Sequence, residues 1–171
     1  MASAQTYVPI ATQTVSGSST NAITFGSIPQ TYTDLRVIAQ LQTTSSGNVS
    51  DMAISLNGDT TSGLYSSTRV YANGSSYTSD RQSNVNYWNQ NGVNASTAGW
   101  PGIASFDFIN YSSSSTYKTV LLRDNTIGYY TMMLALLWRN TNAITSITIG
   151  ANSGQTLYSG STFTLYGIAA A

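Results

Sequence analysis

Short stretches in which apolar and polar side chains alternate recur throughout this 171-residue chain, and no other feature limits its fold as tightly. In STFTLYGI, residues 161–168, Phe163, Leu165 and Gly167 fall on one side and Thr162, Thr164 and Tyr166 on the other. In DLRVIAQL, residues 34–41, Leu35, Val37, Ala39 and Leu41 share a face. In DMAISLNGD, Met52, Ile54 and Leu56 point one way before Asn57 and Gly58 supply turn chemistry. A period of two is the mark of a strand with one buried face. Strands are predicted over 7–15, 21–28, 34–43, 51–57, 67–72, 103–110, 117–123, 130–139, 144–149 and 162–168. Turn residues between them give the spacing of an antiparallel β-sandwich, jelly-roll-like, with about 8–10 strands. The length suits a single domain over 1–171.

The charged residues argue against helices. All six acids are aspartate, Glu is absent, and Lys118 is the one lysine beside five arginines. Surface helices draw on Glu and Lys for propensity and for pairing one turn apart. The same scarcity bears on chemistry. With no His, Cys or Glu, most catalytic constellations cannot be assembled, and an enzyme is not expected. The best carboxylate pair is Asp107 with Asp124, yet Asp107 reads more simply as a cross-strand partner of Arg123 or Lys118. Asn57, Asp59 and Thr61 recur at every second position, like the opening of a calcium loop, but the closing bidentate acid is missing, so a polar turn is expected and no metal. No cofactor motif is present. Charge at 7% leaves no basic patch for nucleic acid. The longest apolar run, MMLALLW at 132–138, is too short to span a bilayer, and no membrane partner is expected. The opening MASAQTYVPIATQTV lacks a basic start and a long apolar run, so synthesis and residence in the cytoplasm are expected.

Three regions depart from simple alternation. In YYTMMLALLWRN both alternating sets are apolar, which predicts a central strand buried on two faces, one of them at a subunit contact. TVLLR, residues 119–123, reads the same way, and SFDFI sets Phe106 and Phe108 against Asp107. Between 71 and 102 the periodicity fails, which predicts a long polar loop carrying Tyr71, Tyr77, Tyr87, Trp88 and Trp100. Rigid aromatics among Ser, Asn and Gly are what binding loops use, so these five are the expected partner-binding residues. Residues 1–10 form a possible arm, with Tyr7, Val8 and Ile10 adding as a strand to a neighbouring subunit. Low charge leaves little to keep strand edges apart, and a homo-oligomer, expected as a trimer, follows.

Three segments carry a resemblance: ITFGSIPQTYTDLRVIAQLQT at 23–43, LNGDTTSGLYSSTRVYANGSS at 56–76, and LLWRNTNAITSITIGANSGQTLYSGSTFTLYGI at 136–168. Together they resemble a family of small structural proteins of tailed bacteriophages, notably phages of aquatic bacteria. The resemblance implies a virion component with a β-sandwich or jelly-roll fold, assembled in the host cytoplasm. It implies no catalytic residue. The expected role is capsid decoration, binding and stabilising the shell of the major capsid protein. The alternative is a tail or fibre module that binds host surface glycan, with Tyr87, Trp88 and Trp100 as stacking platforms and Asp80 among its hydrogen-bonding groups. A free-standing bacterial lectin is a third reading.

Overall fold

The computed structural model describes residues 6–17, 20–44, 49–94, 101–126, 128–152 and 154–169. Twelve strands lie among them: β1 (Tyr7–Thr14), β2 (Ala22–Phe25), β3 (Asp34–Leu41), β4 (Val49–Leu56), β5 (Tyr65–Ala72), β6 (Tyr77–Val85), β7 (Trp88–Asn94), β8 (Gly102–Phe108), β9 (Lys118–Thr126), β10 (Tyr130–Trp138), β11 (Ile147–Ala151) and β12 (Thr162–Ile168). They form an eight-stranded sheet, ordered β1-β12-β3-β8-β9-β10-β5-β6, facing a four-stranded sheet, ordered β2-β11-β4-β7. The architecture is an antiparallel β-sandwich. Early strands pair with late ones, β1 with β12, β2 with β11, β3 with β8 and β5 with β10, as in a jelly roll. Each of the ten predicted stretches holds one strand, while β6 and β7 are additions.

The strand near the C-terminal end finds a neighbour on each side. β12 lies between β1 and β3, with Thr164 opposite Thr12 and Ile38. Phe163 and Leu165 point into the core. Gly167 is required by close approach, since a Cβ there would lie 2.4 Å from the Tyr32 ring. The layer beneath is the shared core: Leu35, Val37, Phe106, Phe108, Leu122 and Leu134 from the large sheet meet Met52, Ile54, Ile147 and Ile149 from the small one. Burying each such side chain is worth roughly 1.5–3 kcal/mol.

Three aromatic side chains join the sheets at one end. Tyr65 of β5, Trp138 of β10 and Trp88 of β7 are all fully buried. Tyr65 meets Trp88 edge-on at 5.1 Å and stacks near Trp138 at 6.3 Å. The indole N–H of Trp88 donates to the carbonyls of Ser66 at 3.0 Å and Leu137 at 3.2 Å. That of Trp138 donates to Asp59 Oδ2 at 3.1 Å, and the Tyr65 hydroxyl donates to the Asp59 carbonyl at 2.8 Å. Asn57 and Gly58 adopt positive φ of 54° and 65°, the turn their sequence calls for, which carries the chain from the small sheet toward the large one.

Three expectations are corrected. The 71–102 stretch is not a long loop. β5 turns at 73–76 into β6, the turn being held by Asn73 Oδ1, which accepts the N–H groups of Ser75 and Ser76. β6 is an edge strand whose two faces are both largely open, so it needs no apolar alternation, and β7 follows with Trp88 at its start. Second, within this chain β10 and β9 are buried on one face only. Met132, Leu134, Leu136 and Trp138 point inward, while Met133, Ala135 and, on β9, Leu121 face out. Third, residues 7–14 do not reach for another subunit but pair with β12 of the same chain, where Ile10 packs against the core.

One acid is buried without help. Asp124 of β9 points inward at 5% exposure, opposite Met132, and neither carboxylate oxygen has a hydrogen-bond partner. Burial pushes its pKa up to about 7, with the positive charge of Arg69 opposing. Arg69 is itself engaged bidentately by Asp80 at 2.7 and 2.8 Å. Asp51 of β4 is raised by burial too, against a hydrogen bond from Asn89 and the charge of Arg69.

Two predictions follow from this core. Trp88→Ala and Trp138→Ala should each destabilise by about 3–5 kcal/mol in guanidinium titrations; a Trp88→Ala protein as stable as the parent would restore the loop reading. For Asp124, the folded chain holds a proton that the unfolded chain releases between pH 3.8 and about 7, so stability falls as pH rises through that window and levels off above it. The parent should therefore lose up to about 4 kcal/mol relative to Asp124→Asn between those limits; a difference independent of pH would show that Asp124 is not a buried, uncompensated acid.

Candidate functional site

Outward side chains of the eight-stranded sheet fall into rows set by strand register. One row runs Tyr166, Arg36, Asp107, Leu121, Ala135, Thr68, Arg81 across β12, β3, β8, β9, β10, β5 and β6. The next runs Thr164, Ile38, Ser105, Arg123, Met133, Val70, Ser79. Leu121, Met133, Val70 and Ile38, with Ile103 of β8, are between 43% and 59% exposed. Half of the large apolar side chains exposed among the described residues thus lie on the middle strands of one sheet face. A groove of about 510 Å³ runs between Leu121, Met133 and Val70, bordered by Arg123 and Asp107. A hollow of about 370 Å³ continues it past Ala135 and Leu137 to Arg81 and Arg139.

Charge on this face is unevenly matched. Asp107 takes the Arg36 Nε at 2.5 Å and the Arg123 guanidinium at 3.6 Å. The hydrogen bond to Asp107 holds the Arg36 guanidinium above its ordinary pKa, and Arg36 also donates to the Tyr7 hydroxyl at 2.9 Å. Arg123 remains more than half exposed and Arg81 is exposed. Along these two rows the face therefore carries three arginines, Arg36, Arg123 and the edge residue Arg81, against one aspartate, Asp107.

The predicted partner-binding residues do not converge. Trp88 is in the core, because an indole at the start of β7 fills the space between the sheets and finds two carbonyl acceptors there. Tyr71 is half-buried on the inner face, 5.4 Å below the Arg69 guanidinium, whereas Tyr77 is 87% exposed at the start of β6. Tyr87 is half-buried in the bend before β7, its hydroxyl donating to Asn152 at 3.4 Å. Tyr7 lies outward on β1, edge-on to Tyr166 at 6.4 Å, while Val8 and Ile10 are half-buried on the same strand. Trp100 lies outside the described residues. The signal of this face, the second apolar set of 130–138 and of 119–123, was read as a subunit contact, and the partner-binding residues were sought instead in the 71–102 stretch.

Among the described residues, the groups weighed for bond chemistry do not come together on this face. Asp107 and Asp124 lie on opposite sides of the large sheet. Lys118 does not meet Asp107; it is buried, its ammonium donating to the carbonyls of Thr116 at 2.8 Å and Thr141 at 2.9 Å, with its pKa lowered by burial. The oxygens of the 57–61 turn serve the fold: Asn57 Oδ1 accepts the N–H groups of Thr145 and Ser146, and Asp59 Oδ1 accepts that of Thr61. Among the described residues no three carboxylates come together, and no helix is long and apolar enough to cross a membrane. What the face offers is shape and apolar area bordered by cations.

No family model matches the chain, and no curated protein matches it. Among solved structures it is similar to Caenorhabditis elegans galectin LEC-6, with 13% identity, a TM-score of 0.29, and coverage of 96% of this chain and 99% of that one.

Proposed function

We propose that this chain is a non-enzymatic structural protein of a tailed-phage virion that decorates the capsid, docking the outer face of its eight-stranded sheet on the major capsid protein. The observation that carries the reading is the exposed apolar set on that face, Leu121, Met133, Val70, Ile38 and Ile103, in a chain with very little surface charge. Apolar patches rimmed by polar groups mark protein interfaces, and charge is depleted at interface centres. The charge on the face also selects the occupant. Stacking two copies face to face would bring together three arginines and one aspartate from each, a repulsive arrangement, whereas an apolar surface with carboxylates at its border complements it. Self-association into the expected trimer draws on other surfaces: β1 and β6 pair on one side only among the described residues and leave open edges.

The test is co-sedimentation with expanded capsids. Exchanging Leu121 and Met133 together for Gln removes the two most exposed apolar anchors without adding charge. Such a variant should stay within about 1 kcal/mol of the parent's stability. Its attachment should weaken by roughly tenfold or more, because binding energy concentrates in a few buried anchors. Attachment equal to the parent's would move the interface off this face. Capture on host glycans without any capsid attachment would favour a tail-appendage role.

A further inference from the structure

At the end of the large sheet, beyond the apolar face, two neighbouring hairpin turns enclose a pocket of about 370 Å³. One is the β5–β6 turn at 73–76, the other the β9–β10 turn that includes Gly128 and Tyr129. Because β5 pairs with β10, with Ala72 opposite Thr131, the turns stand side by side. Its size falls at the lower end of the range for small-molecule sites.

Its lining has no charged residue, which disfavours phosphates, carboxylates and ammonium groups as ligands. Among its described lining residues there is no large aliphatic side chain, which disfavours acyl chains. The polar groups present are fixed in an informative way. Asn73 Oδ1 is consumed by the N–H groups of Ser75 and Ser76 at 3.1 and 2.8 Å, and Asn125 Oδ1 by that of Ile103 at 3.0 Å. Each carboxamide is thereby oriented through its oxygen, with its two N–H donors unused among the described residues. Thr131, on the outer side of β10 beside Asn125, and Tyr129 in the turn add two hydroxyls able to donate or accept. The Tyr129 N–H closes its turn on the Thr126 carbonyl at 2.9 Å. Glycines at positive φ, Gly74 at 87° and Gly128 at 82°, fix both turns without side chains to obstruct the opening.

Fixed amide donors, two hydroxyls and the half-buried Tyr129, with no charge among the described lining, match a neutral ligand rich in hydroxyl and ether oxygens that also has a C–H face to lie against a ring. We infer that this pocket binds a neutral saccharide. The inference does not rest on capsid docking, since it uses other residues. The alternative glycan-binding reading placed it at Tyr87, Trp88 and Trp100, and the hairpin turns provide a different locus.

The test is an amide-resolved NMR titration of the full chain with the methyl glycosides of glucose, galactose, mannose and N-acetylglucosamine, each to about 50 mM, which covers the weak range expected of a shallow site. At least one glycoside should shift the amides of Asn73, Gly74, Gly128, Tyr129 and Tyr130 in a saturable way. Thr131→Val, an exposed strand position where Val is well tolerated, should weaken that binding by roughly two- to tenfold through one lost hydrogen bond. Tyr129→Ala should remove it. If Tyr129→Ala does not fold, Thr131→Val carries the test alone. The inference is overturned if none of the four moves these amides, if shifts map elsewhere, or if Thr131→Val binds as the parent does. Glycoside binding retained when Leu121 and Met133 are exchanged for Gln, with capsid attachment lost, would separate this site from the docking face.

Discussion

The indole of Trp88 ties the two sheets together, and the rest of the architecture is consistent with that one contact. An indole N–H taken out of water costs free energy unless it finds an acceptor. Trp88 finds two, the carbonyls of Ser66 and Leu137, on adjacent strands of the opposite sheet. Its ring is held between them by Tyr65, which lies next to Trp138. This anchors β7, at the edge of the small sheet, over β5 and β10. Once those strands turn Tyr65, Leu134 and Trp138 inward, the pleat leaves Val70 and Met133 no choice but to face out, and the register of β9 on β10 sets Leu121 beside them. The apolar outer face is thus a direct consequence of how the core is closed.

Most strands were legible because each has one wet face and one dry face. The patterns at 34–41 and 162–168 carry that contrast, and Leu35, Val37, Phe163 and Leu165 are buried as the alternation requires. β6 was illegible for the opposite reason. It pairs only with β5, overhangs the sandwich and is open on most of both faces, so Tyr77, Ser79, Arg81 and Ser83 leave no periodic trace. Trp88 was misassigned because a single large ring in a polar stretch reads the same whether it anchors a partner or plugs a core. The outer face shows a related ambiguity. An apolar second set on a strand reports that something covers it, and periodicity does not distinguish a layer of the same chain from the surface of another protein. The hairpin pocket had no sequence signal beyond Asn, Gly and Tyr at turns, since its character depends on how its carboxamides are oriented.

The few charges in the chain are largely spent on structure. Lys118 and Asp124 are buried, Arg69 is locked to Asp80, and Asp59 receives Trp138, Asn140 and Thr61. The surface that remains is hydroxyl, amide and apolar, which suits recognition by shape and hydrogen bonding more than bond chemistry. Arg81 and Arg123, the exposed cations of the outer face, stand beside its apolar groove, where in the proposed docking they would orient a contact otherwise made by Leu121, Met133 and Val70.

Site-directed thiol labelling tests most directly whether the outer face is the covered one, because the chain has no cysteine of its own. Single substitutions Leu121→Cys and Met133→Cys would report on the face, and Tyr158→Cys, at an exposed position in the turn before β12, would serve as reference. All three should react with maleimide in the free protein. On capsids, labelling of the two face positions should slow by roughly tenfold or more while the reference stays reactive, as expected where access requires the contact to open. Equal labelling of Leu121→Cys and Met133→Cys in free and capsid-bound protein would contradict the account.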